Sequence, residues 1–139
     1  MKKADKNDLN KIKALLQSHG LPVNDISKSV RFYILEKNDR FAAVGGYEKY
    51  GKNGLLRSIA VEKDFLKKGF GREIVAKLID DAKSNGIENL FLLTESAESF
   101  FLKFGFKKAD RNTAPTEIKE SSEFKYVCPQ SAVFMHLTI

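Results

Sequence analysis

Leu66-Lys67-Lys68-Gly69-Phe70-Gly71-Arg72, set between a strand-like and a helix-like segment, decides how this chain is read. Two glycines one residue apart let a ligand approach the backbone closely, and a helix beginning there presents free N–H groups to an anion. Before the run, Leu55 to Val61 is apolar enough for a buried strand, and Glu62 to Lys68 forms the connection. After it, Ile74, Val75, Leu78, Ile79 and Ala82 recur at helical spacing, leaving Arg72, Glu73, Lys77, Asp80, Asp81 and Lys83 for solvent. Ser84-Asn85-Gly86 ends that helix, because glycine takes the left-handed cap conformation at little cost. The unit is strand, glycine loop and long helix, and it reads as a phosphate cradle.

Two other glycine-loop architectures are excluded on residues. A P-loop needs Lys followed by Ser or Thr after its second glycine, and Arg72-Glu73 stands there; a dinucleotide fingerprint needs a third glycine where this chain has Ile74.

Working outward, Lys2 to Gly20 holds Asp5 as an N-cap with Asp8 three residues later, and Leu9, Ile12, Leu15 and Leu16 share a helical face. Val23 to Ser29 is expected to add a short second helix. Arg31 to Glu36 and Phe41 to Tyr47 read as antiparallel strands around the polar turn Lys37-Asn38-Asp39-Arg40, and Gly51-Lys52-Asn53-Gly54 turns the chain into Leu55 to Val61. Beyond the long helix, Asn89 to Thr94 is a strand, Glu95 to Phe104 a helix, and Gly105-Phe106 restarts extended chain. Pro115 to Ser122 reads as a short helix and Ser131 to Ile139 as a terminal strand. A crossover helix between Leu55 to Val61 and Asn89 to Thr94 makes those two strands parallel in a mixed sheet.

Size and composition set bounds. With 139 residues, 42% of them hydrophobic, the chain suits one domain over residues 1–139 with one core. No apolar run approaches the roughly 20 residues that cross a bilayer, and Met1-Lys2-Lys3-Ala4-Asp5 leads into a polar helix. A cytoplasmic protein without a membrane partner is expected. The single cysteine, Cys128, has no internal disulfide partner, and with only His19 and His136 available no metal site is expected. The net charge of +6 comes from lysines spread along the chain without a nucleic-acid motif, so a phosphate-bearing small molecule is the preferred partner over nucleic acid.

Four stretches resemble one family, the GCN5-related N-acetyltransferases. Lys3-Ala4-Asp5 through Leu15-Leu16 is similar to its first strand and helix, Ile59-Ala60-Val61 to its fourth strand, and Leu66 to Arg72 to its pyrophosphate loop, Gln/Arg-x-x-Gly-x-Gly/Ala. Ala97-Glu98-Ser99-Phe100-Phe101-Leu102-Lys103-Phe104-Gly105-Phe106 is similar to its second signature, Ala-x-x-x-Tyr-x-Lys-x-Gly-Phe. A closer resemblance, to the amino-acid-type branch often encoded with arsenic-resistance genes, rests on Leu56-Arg57-Ser58-Ile59-Ala60-Val61, Leu93-Thr94-Glu95-Ser96-Ala97, Glu123-Phe124 and Cys128-Pro129-Gln130-Ser131-Ala132.

The resemblance implies an α/β (α+β) fold: a twisted, mostly antiparallel mixed sheet with splayed central parallel strands and helices on both faces. It implies acetyl-CoA as co-substrate, its pantetheine arm pairing with the backbone of Ile59, Ala60 and Val61. The Val61 N–H would polarise the thioester carbonyl. The amides of Lys68, Gly69, Phe70, Gly71 and Arg72 would hold the pyrophosphate, with the Lys68, Arg72 and Lys103 side chains near phosphate oxygens. Phe101 would lie beside the coenzyme.

Two departures stand out. Leu66 replaces the usual Gln or Arg, and Phe101 replaces the tyrosine that commonly protonates the departing thiolate, though a phenyl ring has no proton to give. Water, Tyr126 or Cys128 are substitutes for it, and Glu95 is a candidate base acting through water; the competing role for Glu95 is to oppose a helix dipole. Arg57 and Ser58 stand where acceptor contacts occur in this fold, and an arginine there suits an amino-acid carboxylate, with an ordinary ion pair as the alternative. The expected reaction is direct acetyl transfer to a primary amine of a small molecule, such as an amino acid or its analogue. A coenzyme-A-binding module that keeps the fold without catalysis is the competing reading. Family analogy adds a homodimer through sheet edges or the C-terminal strand.

Overall fold

The computed structural model describes residues 2–5, 7–20, 30–121, 124 and 131–139. The helix expected over Val23 to Ser29, the substitute acids Tyr126 and Cys128, and most of the segment from Glu123 to Gln130 lie outside the described residues.

The strands are β1 (Lys2–Lys3), β2 (Val30–Lys37), β3 (Arg40–Tyr50), β4 (Asn53–Val61), β5 (Asn89–Thr94), β6 (Lys107–Lys108) and β7 (Val133–Thr138). They form one sheet in the order β1-β2-β3-β4-β5-β7-β6. Every neighbouring pair is antiparallel except β4 and β5. The helices are α1 (Leu9–Ser18), α2 (Phe70–Ser84), α3 (Glu98–Leu102) and α4 (Thr116–Lys119).

Local chemistry explains the boundaries. Asn38 and Asp39 both take positive φ, 52° and 59°, and this two-residue turn matches the twist of β2 and β3. Both strands therefore run further than their apolar cores, and β3 and β4 turn on Gly51 and Lys52 alone. The first helix begins later than Asp5. The Asp5 carboxylate accepts the N–H groups of Asn7 and Asp8, and the Asp8 carboxylate returns to the Asp5 N–H, so the two acids make a reciprocal turn ahead of Leu9. The helix expected over Glu95 to Phe104 is only α3, because β5 runs to Thr94 and the Phe104 and Gly105 N–H groups close its C-terminus on Phe101 and Leu102. Extended chain resumes at Lys107, not at Gly105, whose φ is 98°.

Alternation along the strands sorts side chains to two faces. On one, α2 and α3 bury Ile74, Val75, Leu78 and Phe101 against Tyr47, Leu56, Leu90 and Leu92. On the other, α1 packs Ile12 and Leu16 on Phe32, Ile34, Val44 and Ala60, while α4 sets Ile118 over Leu55, Phe91 and Phe134. Helices thus cover both faces. Each edge of the sheet ends in a two-residue strand of lysines, short and charged, which opposes edge-to-edge pairing.

The C-terminal half of α2 is tied to the sheet by polar contacts. Asp81, assigned to solvent by periodicity, is instead half-buried, and its Oδ2 accepts hydrogen bonds from Tyr33 (2.6 Å) and Tyr47 (2.5 Å). Asn85 Nδ2 donates to the Tyr47 hydroxyl at 3.1 Å and to the Asp81 carbonyl at 2.8 Å. Asp81 follows Leu78 by three residues and so sits beside the apolar face, and two tyrosines that occur far earlier in the chain pull it inward.

Candidate active site

The central feature is a gap in the sheet. β4 and β5 pair only at Asn53 with Asn89, Gly54 with Leu90 and Leu55 with Phe91, although β4 continues to Val61 and β5 to Thr94. On their far sides both strands stay paired, Val61 with Ala43 of β3 and Thr94 with Val133 of β7. Leu56 to Val61 and Leu92 to Thr94 therefore face each other across an opening with strand backbone on both sides. Strand backbone groups are strong donors and acceptors, so this opening suits an extended, amide-bearing ligand.

A bulge shapes the β4 side. The β3 register passes from Gly46 opposite Arg57 to Val44 opposite Ala60, which leaves one extra residue in β4, and Ser58 adopts φ 60°. Left-handed backbone at a serine costs of order 1 kcal/mol or more, and bulges of this kind re-aim strands beside active sites.

The connection from β4 to α2 sits at the mouth of the gap. Glu62 accepts the Asp64 N–H at 2.8 Å in a single helical turn, and Phe65 inserts as a buried anchor. Arg40, from the β2–β3 turn, donates to Asp64 at 2.7 Å and lies 5.0 Å from the centre of the Phe65 ring. This contact holds the Asp64 carboxyl below its usual range. Lys67 and Gly69 then take φ 63° and 84°, and α2 starts without any side-chain cap. Glycine is required by conformation at Gly69. At Gly71 the reason differs: an added Cβ would only touch Val61 at 3.4 Å and Phe100 at 3.6 Å, so internal packing does not demand its absence. Beside the helix start, Arg72, Phe100, Lys103 and Phe104 line a cavity of about 330 Å³.

The sequence-derived residues fall into distinct places. Ile59, Ala60 and Val61 occupy the open edge of β4, and Gly69, Phe70, Gly71 and Arg72 the start of α2 at its mouth. Arg72 and Lys103 come together in the cavity, whereas the Lys68 ammonium stands 5.9 Å over the Phe65 ring. Phe101 is 7% exposed, edge-on to Phe100 and Phe106, so it packs in the core and Phe100 takes the cavity position. Glu95 is exposed just beyond β5.

Arg57 is not an open surface cation. Its side chain is fully inaccessible, 3.5 Å from Glu48 Oε2, and its Nε donates to Ser58 Oγ at 3.2 Å. Glu48 in turn accepts from the Tyr50 hydroxyl at 3.1 Å. The ion-pair alternative describes this geometry, although the pair is buried rather than superficial. Strand alternation carried a signal for Glu48, since a lone acid inside an apolar strand calls for a partner.

His136 of β7 lies opposite Phe91, the last residue of β5 that pairs with β4. It stacks on Phe91 with centroids 4.6 Å apart and hydrogen-bonds Asn89 at 2.9 Å, and burial lowers its pKa. Among the described residues no group of three His, Cys, Asp or Glu could hold a metal ion, and no described helix is long and apolar enough to cross a membrane.

A splayed parallel pair with an uncapped helix N-terminus at its mouth agrees with comparisons against known proteins. The model of the acetyltransferase (GNAT) family matches residues 9–106, and the chain belongs to that family. The ribosomal protein bS18-alanine N-acetyltransferase of Salmonella typhimurium is 31% identical over 88 residues, 59% of this chain and 60% of that protein. The chain matches 40% to 60% of the length of such curated relatives. N-acetylglutamate synthase of Neisseria gonorrhoeae, complexed with coenzyme A and L-arginine, superposes with a TM-score of 0.83 at 20% identity over 99% of this chain and 32% of that one. Rv2747 of Mycobacterium tuberculosis, in complex with CoA, has a TM-score of 0.81 at 22% identity, covering 98% of this chain and 96% of that one. At these identities the structural likeness establishes the fold.

Proposed function

We propose that this chain is an N-acetyltransferase that moves the acetyl group of acetyl-CoA directly to a primary amine of a small molecule, such as an amino acid or its analogue. The observation that carries the reading is the open edge between β4 and β5 with the uncapped start of α2 at its mouth. A pantetheine arm supplies the amide groups such an edge accepts, and a pyrophosphate supplies the anion that helix N–H groups and their dipole favour. At Gly71, where an added Cβ would meet only ordinary contacts with Val61 and Phe100, the missing side chain lets that anion approach the backbone.

The residue roles follow. Backbone groups of Ile59, Ala60 and Val61 hold the arm, and the Val61 N–H is a fixed donor toward the thioester oxygen; one such donor is typically worth about 3 to 4 kcal/mol. Amides from Lys68 to Arg72 hold the pyrophosphate, and Arg72 and Lys103 add charge from the cavity wall. Phe101 acts by packing the wall behind Phe100. When bound, acetyl-CoA supplies an activated acetyl thioester, and the protein's task is to position an amine against it. Glu95, exposed beyond β5, is placed to take the amine proton through water. Arg57 and Ser58 shape the acceptor side of the bulge, with Arg57 held by Glu48. A relative that acts on alanine of a ribosomal protein supports an acceptor carrying an α-amine. The arsenic-resistance-associated branch belongs to this proposal as its narrowest form.

The competing reading, a coenzyme-A-binding module without catalysis, draws on the absence of a hydroxyl at Phe101. An amine panel assayed by release of free coenzyme A thiol separates the two. Turnover with α-amino acids supports the enzyme. Acetyl-CoA at a hundredfold its Kd that stabilises the fold by about 2.7 kcal/mol while no amine is consumed supports the module.

A further inference from the structure

The departing sulfur needs a hydrogen-bond donor, and Phe101 offers none: its ring packs against Phe100 and Phe106. A hydroxyl stands nearby on the same face. Leu90 and Leu92 of β5 face the α2 and α3 layer while Phe91 faces α4, so alternation places Thr94 on the α2 and α3 side. Its Oγ1 accepts the Ala97 N–H at 3.0 Å, at the start of α3, and Ala97 packs in the same cluster as Ile59 and Val61. Thr94 is also the last residue of β5, paired to Val133 on one side and facing the opening on the other. It is half-buried.

With its oxygen already accepting a backbone N–H, the Thr94 hydroxyl still has one hydrogen to donate, and no residue accepts it within the described protein. Other hydroxyls of the region are placed differently. Ser58 Oγ also accepts one N–H, but from Arg57 Nε, and that arginine pairs with Glu48 beside Tyr50, which packs on the α4 side of the sheet; Ser96 is exposed beyond the strand.

We propose that the Thr94 hydroxyl donates a hydrogen bond to the coenzyme sulfur as it leaves, in place of the missing tyrosine; this rests on the acetyltransferase reading above. The amine lone pair forms the new C–N bond, the C–S bond breaks, its electron pair stays on sulfur, and the surplus amine proton passes to water. Thr94 keeps its own proton, since an aliphatic hydroxyl is a far weaker acid than a thiol with a pKa of about 8.5. Its contribution is a charge-assisted hydrogen bond to the thiolate.

The test is the ionisation of coenzyme A bound to the protein, followed by thiolate ultraviolet absorbance against pH, beside kcat and KM. In the wild type the bound thiol should titrate below free coenzyme A followed in the same way. Thr94→Val should raise the bound value by about one unit and lower kcat about tenfold at unchanged acetyl-CoA KM, and Thr94→Ser should restore both. A cap that only secures α3 would not move the thiol titration. Bound thiol in the wild type at or above the free value overturns the proposal without any variant, and so does a Thr94→Val protein whose bound thiol is unshifted. Thr94→Ala serves in the same titration if the valine variant does not fold. Coenzyme A that fails to bind the wild type at all would overturn the acetyltransferase reading itself.

Discussion

The two ends of α2 are built on opposite principles. At the C-terminal end the half-buried polar groups are paired within the protein: Asp81 takes two tyrosine hydroxyls, and Asn85 bonds both Tyr47 and the Asp81 backbone. At the N-terminal end no side chain caps the helix, Gly69 is left-handed, and Gly71 lies at ordinary contact distance from Val61 and Phe100 without a side chain of its own. The satisfied end anchors the helix, and in the proposed function that anchoring lets the other end keep its N–H groups for the coenzyme. The proposed function thus separates stability from binding along one element, about 15 Å apart from Gly71 to Asp81 at the ordinary rise of a helix.

Filling the open end gives the largest expected effect. Gly71→Leu should weaken acetyl-CoA binding at least about 100-fold, about 2.7 kcal/mol, because its side chain takes the ligand's space. Thermal unfolding without ligand should change little, since the first atom added meets only ordinary contacts. Calorimetric titration beside a melting curve checks both halves, and a protein that melts early while binding normally would reverse the assignment of the two ends.

Cutting the anchored end should do the converse. Asp81→Ala leaves the Tyr33 and Tyr47 hydroxyls without their acceptor and should cost about 2 kcal/mol in urea unfolding. Acetyl-CoA affinity, measured where the variant is fully folded, should shift by less than the Gly71→Leu change.

The same anchor predicts an alkaline weakness. Burial, reinforced by Asp81, raises the pKa of Tyr47 to about 12 and also raises that of Tyr33. Both folded values exceed the unfolded value of about 10, so their contribution is complete below about pH 10 and is lost as pH rises through the folded values. Stability should fall by up to about 1.4 kcal/mol per pH unit for each tyrosine above pH 10. Tyr47→Phe should flatten that slope in denaturant titrations at stepped pH, while leaving coenzyme binding at neutral pH unchanged.

Much of this contrast was legible in the chain and part was not. The open end is local: an apolar strand, a glycine loop and a periodic helix are contiguous, and Gly69 and Gly71 say why by their lack of side chains. The anchored end is not, since Tyr33, Tyr47 and Asp81 lie in three separate elements and helical period alone put Asp81 in water. The same holds for Arg57. Its ion pair with Glu48 depends on the register across the β3–β4 turn, which rests on two residues rather than four. Phe101 matched a family signature, yet the choice between it and Phe100 for the cavity wall turns on the rotation of a five-residue helix. The bulge at Ser58 has no local sign, because nothing in a serine announces positive φ.

By itself the sequence determined most of the order of the described elements and the strand, glycine loop and long helix unit, which follow from periodicity and contiguous backbone chemistry, and its motifs pointed to the family. Only the tertiary structure decided how far β4 and β5 pair before they part, which cations share the cavity and which acid is buried. Those outcomes depend on register and packing between distant segments, where the energy of each contact is set by geometry that composition does not encode.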